Sequence, residues 1–266
     1  IPDLLWPDFK LIFEYDGNLH QPTPIVSTPD GLETISEVKY LLQDDQGNDA
    51  TPRDAGSYKI VANELINASG VESSNYVLST DPSKYSTSFT ITPRVLAFNW
   101  DTCTKEFTYS GKTIEEMLNN FRITNLVEGD SCEFALKDAD VKDASTTPYT
   151  VSVQEASEGF NNNYTLTGST TSGTFTINPA AINARQIVFN TTSKPAAYDG
   201  QKHCPVVASF VNVEHISGIY DNYEIRFTDD SYNIKAGEDY TATVEGFYDK
   251  TTGQKTDNLK LVGPIT

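Results

Sequence analysis

The sequence contains only three cysteines, three histidines and one methionine in 266 residues, and it has no apolar run near 18 residues. An odd number of cysteines excludes a framework in which every thiol is paired. Cys103 and Cys132 fall in one segment and can pair, although free thiols are the default for isolated cysteines. Because no long apolar run is present, we expect no membrane insertion of this fragment.

Basic residues are also scarce, since 19 Lys and Arg stand against 37 Asp and Glu, a formal net charge of −18. So acidic a surface repels nucleic acid and anionic lipid, and we expect neither as a partner. It also keeps separate copies apart, so we expect a monomer. Ile1-Pro2-Asp3 lacks the basic start of a signal peptide, and the apolar Leu4-Leu5-Trp6 that follows is expected of an excised fragment.

Patterns that carry catalysis or bind metals are absent from the sequence. It contains no nucleophile elbow, zinc-type Cys/His spacing or phosphate-binding glycine loop, so we predict no enzyme activity, catalytic residue, cofactor or metal site. His20 and His203 each lie two residues before a proline and five after a signature tyrosine, which favours a shared role in a turn; His215 stands alone. The acidic runs 44–49 and 138–140 are candidate calcium loops, but they lack the EF-hand spacing and are predicted to be solvated turns.

Strand-forming residues are abundant and recur in three similar segments, 1–93, 94–179 and 180–266. Each segment opens with a short apolar run. It continues with a Tyr-Asp/Ser-Gly turn, a tyrosine-led strand of alternating polarity and an element that starts with Asn and ends with Leu. These landmarks begin at Tyr15, Tyr58 and Asn75, then at Tyr109, Tyr149 and Asn163, and finally at Tyr198, Tyr240 and Asn258. The tyrosines that lead the strands are 91 residues apart both times.

Each landmark has a physical cause. The glycine of the turn accepts the positive φ that a tight turn needs. In the strand from Tyr149, Val151 and Val153 share one face while Thr150 and Ser152 share the other, which predicts a strand over a packed core. Pro93 and Pro179 have no N–H to donate, so the closing strands of the first two segments should end before them.

One helix is predicted, and only in the second segment. Thr113-Ile114-Glu115-Glu116 forms a capping box, and the apolar residues that follow suit a helix of about nine residues near 113–121. Pro22, Pro24 and Pro29 exclude a helix from the matching region of the first segment.

The predicted fold is therefore mostly β, with three tandem small domains. Each domain is either an immunoglobulin-like sandwich or a β-grasp-like unit with one short helix. In segment 180–266 the closing strand is either missing or shortened to Pro264-Ile265-Thr266.

The order of these motifs resembles the YDG and MBG repeats of bacterial surface proteins. The resemblance rests on the Tyr-Asp/Ser-Gly turn, the step at Gly129-Asp130, the tyrosine-led strand, Asn163-Tyr164-Thr165-Leu166 and the closing Thr-Phe-Thr-Ile, and it covers nearly the whole chain. It implies a tandem array in a secreted or surface-anchored protein such as an adhesin, and it supplies no catalytic residues.

We therefore expect a non-catalytic extracellular or cell-surface region that acts as a stalk, spacer or adhesin segment. With about 33 Å per domain, three domains in single file measure about 100 Å. One alternative is a module that binds a glycan or a host or bacterial protein, with Trp6 and Trp100 as candidate ligand contacts through ring stacking. Both rings can instead fill the end of a core. A further alternative is an accessory region of a larger secreted enzyme.

Overall fold

The computed structural model describes residues 1–7, 11–28, 33–190, 199–201, 203–211, 222–231 and 242–263, and its regular structure is mostly β. Within those ranges, no helix has the length and apolar character to cross a membrane. The predictions at Tyr198, His215, Tyr240 and the closing Pro264-Ile265-Thr266 lie outside the described residues.

The strands are numbered here in chain order. Segment 1–93 contains β1 Asp3–Leu5, β2 Ile12–Glu14, β3 Ile25–Ser27, β4 Ile35–Asp44, β5 Gly56–Asn67 and β6 Ser86–Thr92, with helix α1 at Pro82–Tyr85. Segment 94–179 contains β7 Arg94–Val95, β8 Glu106–Thr108, β9 Phe134–Lys137, β10 Tyr149–Glu155, β11 Tyr164–Thr165 and β12 Ser172–Asn178, with helix α2 at Ile114–Met117. Segment 180–266 contains β13 Ala180–Asn183, β14 Ile187–Phe189, β15 Val207–Phe210, β16 Tyr223–Phe227, β17 Val244–Asp249 and β18 Leu259–Val262, with 3-10 turns at Ala184–Gln186 and Asp229–Ser231.

Two four-stranded sheets have the same strand order. One reads β2-β6-β5-β4 and the other β8-β12-β10-β9, so in each the first strand in the chain pairs with the last. That pair is parallel in both sheets, and the last strand is antiparallel to the third. A parallel pair cannot be closed by a hairpin, so each chain segment crosses over before its last strand joins the first.

The tyrosine-led strands of the two sheets have matching surroundings. Tyr58 lies opposite Phe89, and Tyr149 lies opposite Phe175. Both phenylalanines are buried, as is the isoleucine two residues after each. Val151 and Val153 are buried while Thr150 is exposed, which confirms the alternation predicted for β10. These strands therefore place equivalent side chains over equivalent cores.

A second layer of strands covers the first sheet. β1 and β3 pair in antiparallel fashion, with Leu4 opposite Val26. These two side chains pack against a core cluster of Val38, Ala62, Leu65 and Tyr76, which belong to the β4–β5 region and the element at 75–78. The β1–β3 pair therefore lies over the apolar core of the β4–β5 region.

The turn and proline predictions agree with the structure. Gly17, Gly111 and Gly200 have φ values of 79°, 76° and 75°, the left-handed region that only glycine adopts at little cost. β6 ends at Thr92 and β12 at Asn178, each directly before its proline. The backbone signals read from the sequence therefore place these turns and strand ends.

The helix of the second segment is shorter than predicted. Its capping box is present, because the Thr113 hydroxyl accepts from the Glu116 N–H and the Glu116 carboxylate accepts from the Thr113 N–H. However, α2 spans only four residues, and its C-cap Leu118 is no longer helical, with φ −81° and ψ 50°. Asn119 and Asn120 follow, and asparagine prefers turns to helix interiors, so the predicted extension to 121 does not form.

The described chain divides into two compact units. One comprises Ile1–Asn99, Arg122–Ala135 and Gln154–Thr171, and the other comprises Trp100–Phe121, Leu136–Val153 and Ser172–Thr266. Segment 94–179 contributes to both units, so the compact units do not follow the limits of the sequence segments.

A glycine in β12 lies under a tryptophan ring, which gives a test of the core of this sheet. A methyl group at Gly173 would lie 2.7 Å from Cζ3 of Trp100, far inside van der Waals contact. We predict that Gly173→Ala destabilises the protein by about 1–3 kcal/mol, because the indole must move out of a packed position. Urea denaturation measures the change. Gly56→Ala is the matched control, since its methyl group would lie 3.5 Å from the Tyr58 ring, and an equal loss in both variants would contradict the prediction.

Candidate functional site

The two tryptophans predicted as ligand contacts have different environments. Trp100 is 5% exposed and packs against Phe121 and Phe175, with ring centroids 4.2 and 6.1 Å apart. Its ring faces are thus covered by protein, as expected of a residue that fills a core. Trp6 is partly buried beside Tyr40 and packs against the core that contains Tyr15 and Tyr164. The structure does not bring the two indoles together in one described cluster.

The two histidines of the tyrosine turns make the same local bond. Nε2 of His20 lies 2.9 Å from Oδ1 of Asp16, and Nε2 of His203 lies 2.8 Å from Oδ1 of Asp199. The pKa of Asp16 is lowered, first by the N–H of Asn18, and that of Asp199 is lowered first by His203. The histidines therefore close their own turns, as predicted from their shared spacing.

The acidic run at 44–49 is a tight turn. Oδ1 of Asp44 accepts hydrogen bonds from the N–H groups of Gln46 and Asn48, both at 2.9 Å, and the Asn48 side chain lowers its pKa. This carboxylate is engaged by its own loop, as turn formation requires. Over the described ranges, no three His, Cys, Asp or Glu side chains are grouped as metal ligands.

The three cysteines are free thiols. Burial raises the pKa of Cys132 and of Cys204, which keeps both in the less reactive protonated form.

In the first compact unit, the side chain of Asn163 joins segment 94–179 to segment 1–93. Nδ2 of Asn163 donates to Oδ1 of Asp54 at 2.8 Å, and Oδ1 of Asn163 accepts from the N–H of Ala55 at 2.7 Å. The backbone carbonyl of Asp54 accepts from the Tyr58 hydroxyl at 2.9 Å, and the carbonyl of Asn163 accepts from the N–H of Arg94 at 2.9 Å. The side-chain amide of Asn163 thus binds both the carboxylate and the following N–H of an Asp-Ala step in the preceding segment.

The second compact unit contains the same contact between segment 180–266 and segment 94–179. Nδ2 of Asn258 donates to Oδ1 of Asp143 at 2.8 Å, and Oδ1 of Asn258 accepts from the N–H of Ala144 at 2.6 Å. The carbonyl of Asp143 accepts from the Tyr149 hydroxyl at 2.9 Å, and the carbonyl of Asn258 accepts from the N–H of Ala180 at 2.9 Å. We call each such set of bonds an asparagine clamp.

A strand pair lies directly beside each clamp. β7 pairs in parallel with β11, which begins one residue after Asn163, and β13 pairs in parallel with β18, which begins one residue after Asn258. Each clamp asparagine therefore lies where a parallel ladder begins, so its backbone position is fixed by the sheet of its own segment. Its side-chain amide makes its hydrogen bonds with the preceding segment.

The turn tyrosines Tyr15 and Tyr109 each meet a tyrosine of the following segment. The hydroxyls of Tyr15 and Tyr164 both donate to Oδ2 of Asp130 at 2.7 Å, and their rings meet edge to face at 5.5 Å. Burial, followed by the bond to Asp130, raises the pKa of Tyr15 to about 12. In the other unit, the hydroxyls of Tyr109 and Tyr223 lie 2.5 Å apart, and burial raises the pKa of Tyr109 well above its usual range.

An apolar core continues through the first of these contacts. Tyr15, Ile60, Phe89 and Ile91 of segment 1–93 form one buried cluster with Leu96, Cys132 and Tyr164 of segment 94–179. Val127 also approaches Gly17 so closely that a methyl group there would lie 2.8 Å from its Cγ1. The contact therefore combines directional hydrogen bonds with buried apolar surface.

Sequence analysis identified the asparagines and tyrosines as recurring landmarks but missed their partners. Asp54 and Asp143 were not singled out, although each begins an Asp-Ala step that lies four or six residues before a strand tyrosine. Asp-Ala also occurs at Asp49 and Asp138, so the dipeptide alone does not identify the partner.

A cavity of about 370 Å³ lies in the second compact unit. Its walls include Cys204, Val206, Phe210, Tyr223, Phe227 and Lys250. Its size and its mixture of apolar walls with a few polar groups are within the range of small-ligand pockets.

In comparisons with protein-family models, curated proteins and solved structures, no match to this chain was found.

Removal of a clamp amide gives a direct test of its contribution. We predict that Asn163→Ala and Asn258→Ala each lower the free energy of unfolding by about 1–3 kcal/mol, because two hydrogen bonds are lost and a backbone N–H loses its partner. Asn75→Ala is the matched control, because Asn75 occupies the same place in its segment but is exposed, and its loss should stay within about 0.5 kcal/mol. Denaturant titration measures all three, and equal effects at Asn75 and Asn163 would refute the role of the clamp.

Proposed function

We propose that this chain is a non-catalytic, extracellular repeat region of a bacterial surface protein, which acts as a stalk, spacer or adhesin segment. On this proposal the segments 1–93, 94–179 and 180–266 are three repeats of one mostly β domain. Their task is mechanical, since they hold whatever they carry at a distance from the cell. The clamps keep neighbouring repeats in a fixed relation.

The observation that carries the proposal is the recurrence of the asparagine clamp. The clamp bonds of Asn163 have counterparts at Asn258 that agree to within 0.1 Å, and each asparagine comes from the later repeat. A catalytic group more often occurs once, whereas a device for joining copies must occur at each boundary. The recurrence therefore favours a joining role over chemistry.

The shared core at the first joint supports the same proposal. A spacer made of freely hinged domains would collapse or bend under load, so a spacer gains from joints that bury apolar surface. Tyr15 and Tyr164, 4% and 2% exposed, meet in such a core and share the Asp130 carboxylate. The acidic composition, with a net charge of −18, favours solubility outside the cell.

The cavity beside Cys204 favours a second candidate, a module that binds a small ligand or a glycan. Phe210, Tyr223 and Phe227 line the cavity, and Val206 is 63% exposed at the same site. A glycan array distinguishes the candidates, because a spacer needs no ligand. Reproducible binding that is lost on Val206→Arg would support the module.

Solution scattering tests the mechanical role. We predict that the native protein gives a single maximum dimension of about 100 Å, as expected of three repeats in single file. The double variant Asn163→Ala/Asn258→Ala should give a larger and broader spread of dimensions, because its joints are looser.

The control for this experiment is Asn75→Ala/Asn162→Ala, which removes two exposed asparagine side chains outside the clamps. It should scatter like the native protein. A maximum dimension of about 50 Å for the native protein, the size of one packed globule of this mass, would contradict the spacer role.

A further inference from the structure

The cavity of the second compact unit shares a wall with the joint between segments 94–179 and 180–266. Tyr223 lines the cavity and is itself 6% exposed. Its hydroxyl lies 2.5 Å from the hydroxyl of Tyr109 in the preceding segment, and the two rings meet edge to face with centroids 6.5 Å apart. One side chain therefore belongs both to the cavity and to the joint.

The cavity walls are largely apolar. Val206, Phe210, Ile225 and Phe227 line the cavity, and Lys250, its cationic wall residue, is exposed. The volume of about 370 Å³ lies near the lower end of the range of small-ligand pockets. A space of this size and lining suits a molecule of one or two rings, not a glycan chain.

The polar side chains of the walls are engaged or exposed. The Tyr223 hydroxyl is bonded to Tyr109, and the Glu224 carboxylate accepts from Arg226 at 2.7 Å and is 40% exposed. Burial raises the pKa of the Cys204 thiol, which indicates apolar surroundings. The hydroxyls of a sugar would lose water here without matched side-chain partners, whereas an apolar ring would lose nothing by leaving water.

We propose that this cavity binds a small, planar, apolar molecule with one or two aromatic rings, and that the bound molecule stabilises the joint between segments 94–179 and 180–266. The inference rests on the proposed function for the role of that joint. It replaces the glycan with an apolar ring as the ligand of the cavity.

The shared tyrosine determines the direction of the effect. While the joint is closed, Tyr109 holds the Tyr223 ring in place, so this wall of the cavity is already formed. When the joint opens, Tyr223 loses that partner and the wall loses its support. A ligand that packs on the wall therefore binds the closed joint more tightly, and by linkage it shifts the equilibrium towards the closed joint.

Binding is tested with indole as the probe, by NMR titration of the native protein, with methyl glucoside in parallel. We expect saturable shifts at cavity residues with indole, with a dissociation constant of about 1 mM or lower, and none with methyl glucoside. Val206→Arg should abolish binding, because Val206 is 63% exposed at the cavity. Val188→Arg is the matched control, since Val188 is 38% exposed in the same segment, outside the cavity walls, and it should bind indole normally.

The effect on the joint is measured by amide hydrogen exchange at Ala144, whose N–H is bonded to Asn258 across this joint. With indole at ten times its dissociation constant, exchange at Ala144 should slow by about three- to tenfold. Ala55, whose N–H is bonded to Asn163 at the other joint, is the internal control and should not respond. Tyr109→Phe leaves the cavity walls intact and should bind indole but lose the slowing at Ala144.

The outcomes separate this inference from the proposed function. Absence of indole binding, binding of methyl glucoside in its place, or equal slowing at Ala144 in the native and Tyr109→Phe proteins would overturn the inference. None of these results alters the losses of stability expected for Asn163→Ala and Asn258→Ala, which test the joining role by themselves. If those losses were absent while indole still bound, the joining role would fall and the cavity would remain a ligand site without it.

Discussion

A primary amide carries a donor and an acceptor side by side, and it is satisfied only by a partner with the reverse pair. Asn163 and Asn258 each find such a partner in an aspartate carboxylate followed by a backbone N–H. The same residues accept, through their main-chain carbonyls, the N–H of a strand in their own segment. One asparagine thus supports the ladder of its own segment through its main-chain carbonyl and the contact with the preceding segment through its side-chain amide, and the rest of the arrangement depends on it.

These contacts between neighbouring segments explain why the limits of the compact units differ from those of the sequence segments. Segment 94–179 contributes residues to both units, and the core around Tyr15 includes Leu96, Cys132 and Tyr164. If the segments are repeats as proposed, the stability of the array is the sum of what each repeat provides and what each joint adds. A segment of about 90 residues has a small core, so the joint would be a substantial part of that sum.

Sequence analysis predicted the features that depend on neighbouring residues. The positive φ at Gly17, the strand ends before Pro93 and Pro179 and the capping box at Thr113 all follow from local backbone chemistry. It failed to predict the length of α2, where Asn119 and Asn120 outweigh the apolar spacing. It also missed Asp54 and Asp143, because the asparagines that bind them lie 109 and 115 residues away in the chain. No local pattern encodes a contact over such a distance.

The clamp itself is tested most directly by double-mutant cycles on its two side chains. The free energies of unfolding are measured for Asp54→Ala, Asn163→Ala and the double variant, and then for Asp143→Ala, Asn258→Ala and their double variant. We predict a favourable coupling of about 0.5–3 kcal/mol in both cycles, similar at the two joints. Additive losses in both cycles would mean that the carboxylate and the amide do not stabilise each other, and the clamp could not be the device that joins the repeats.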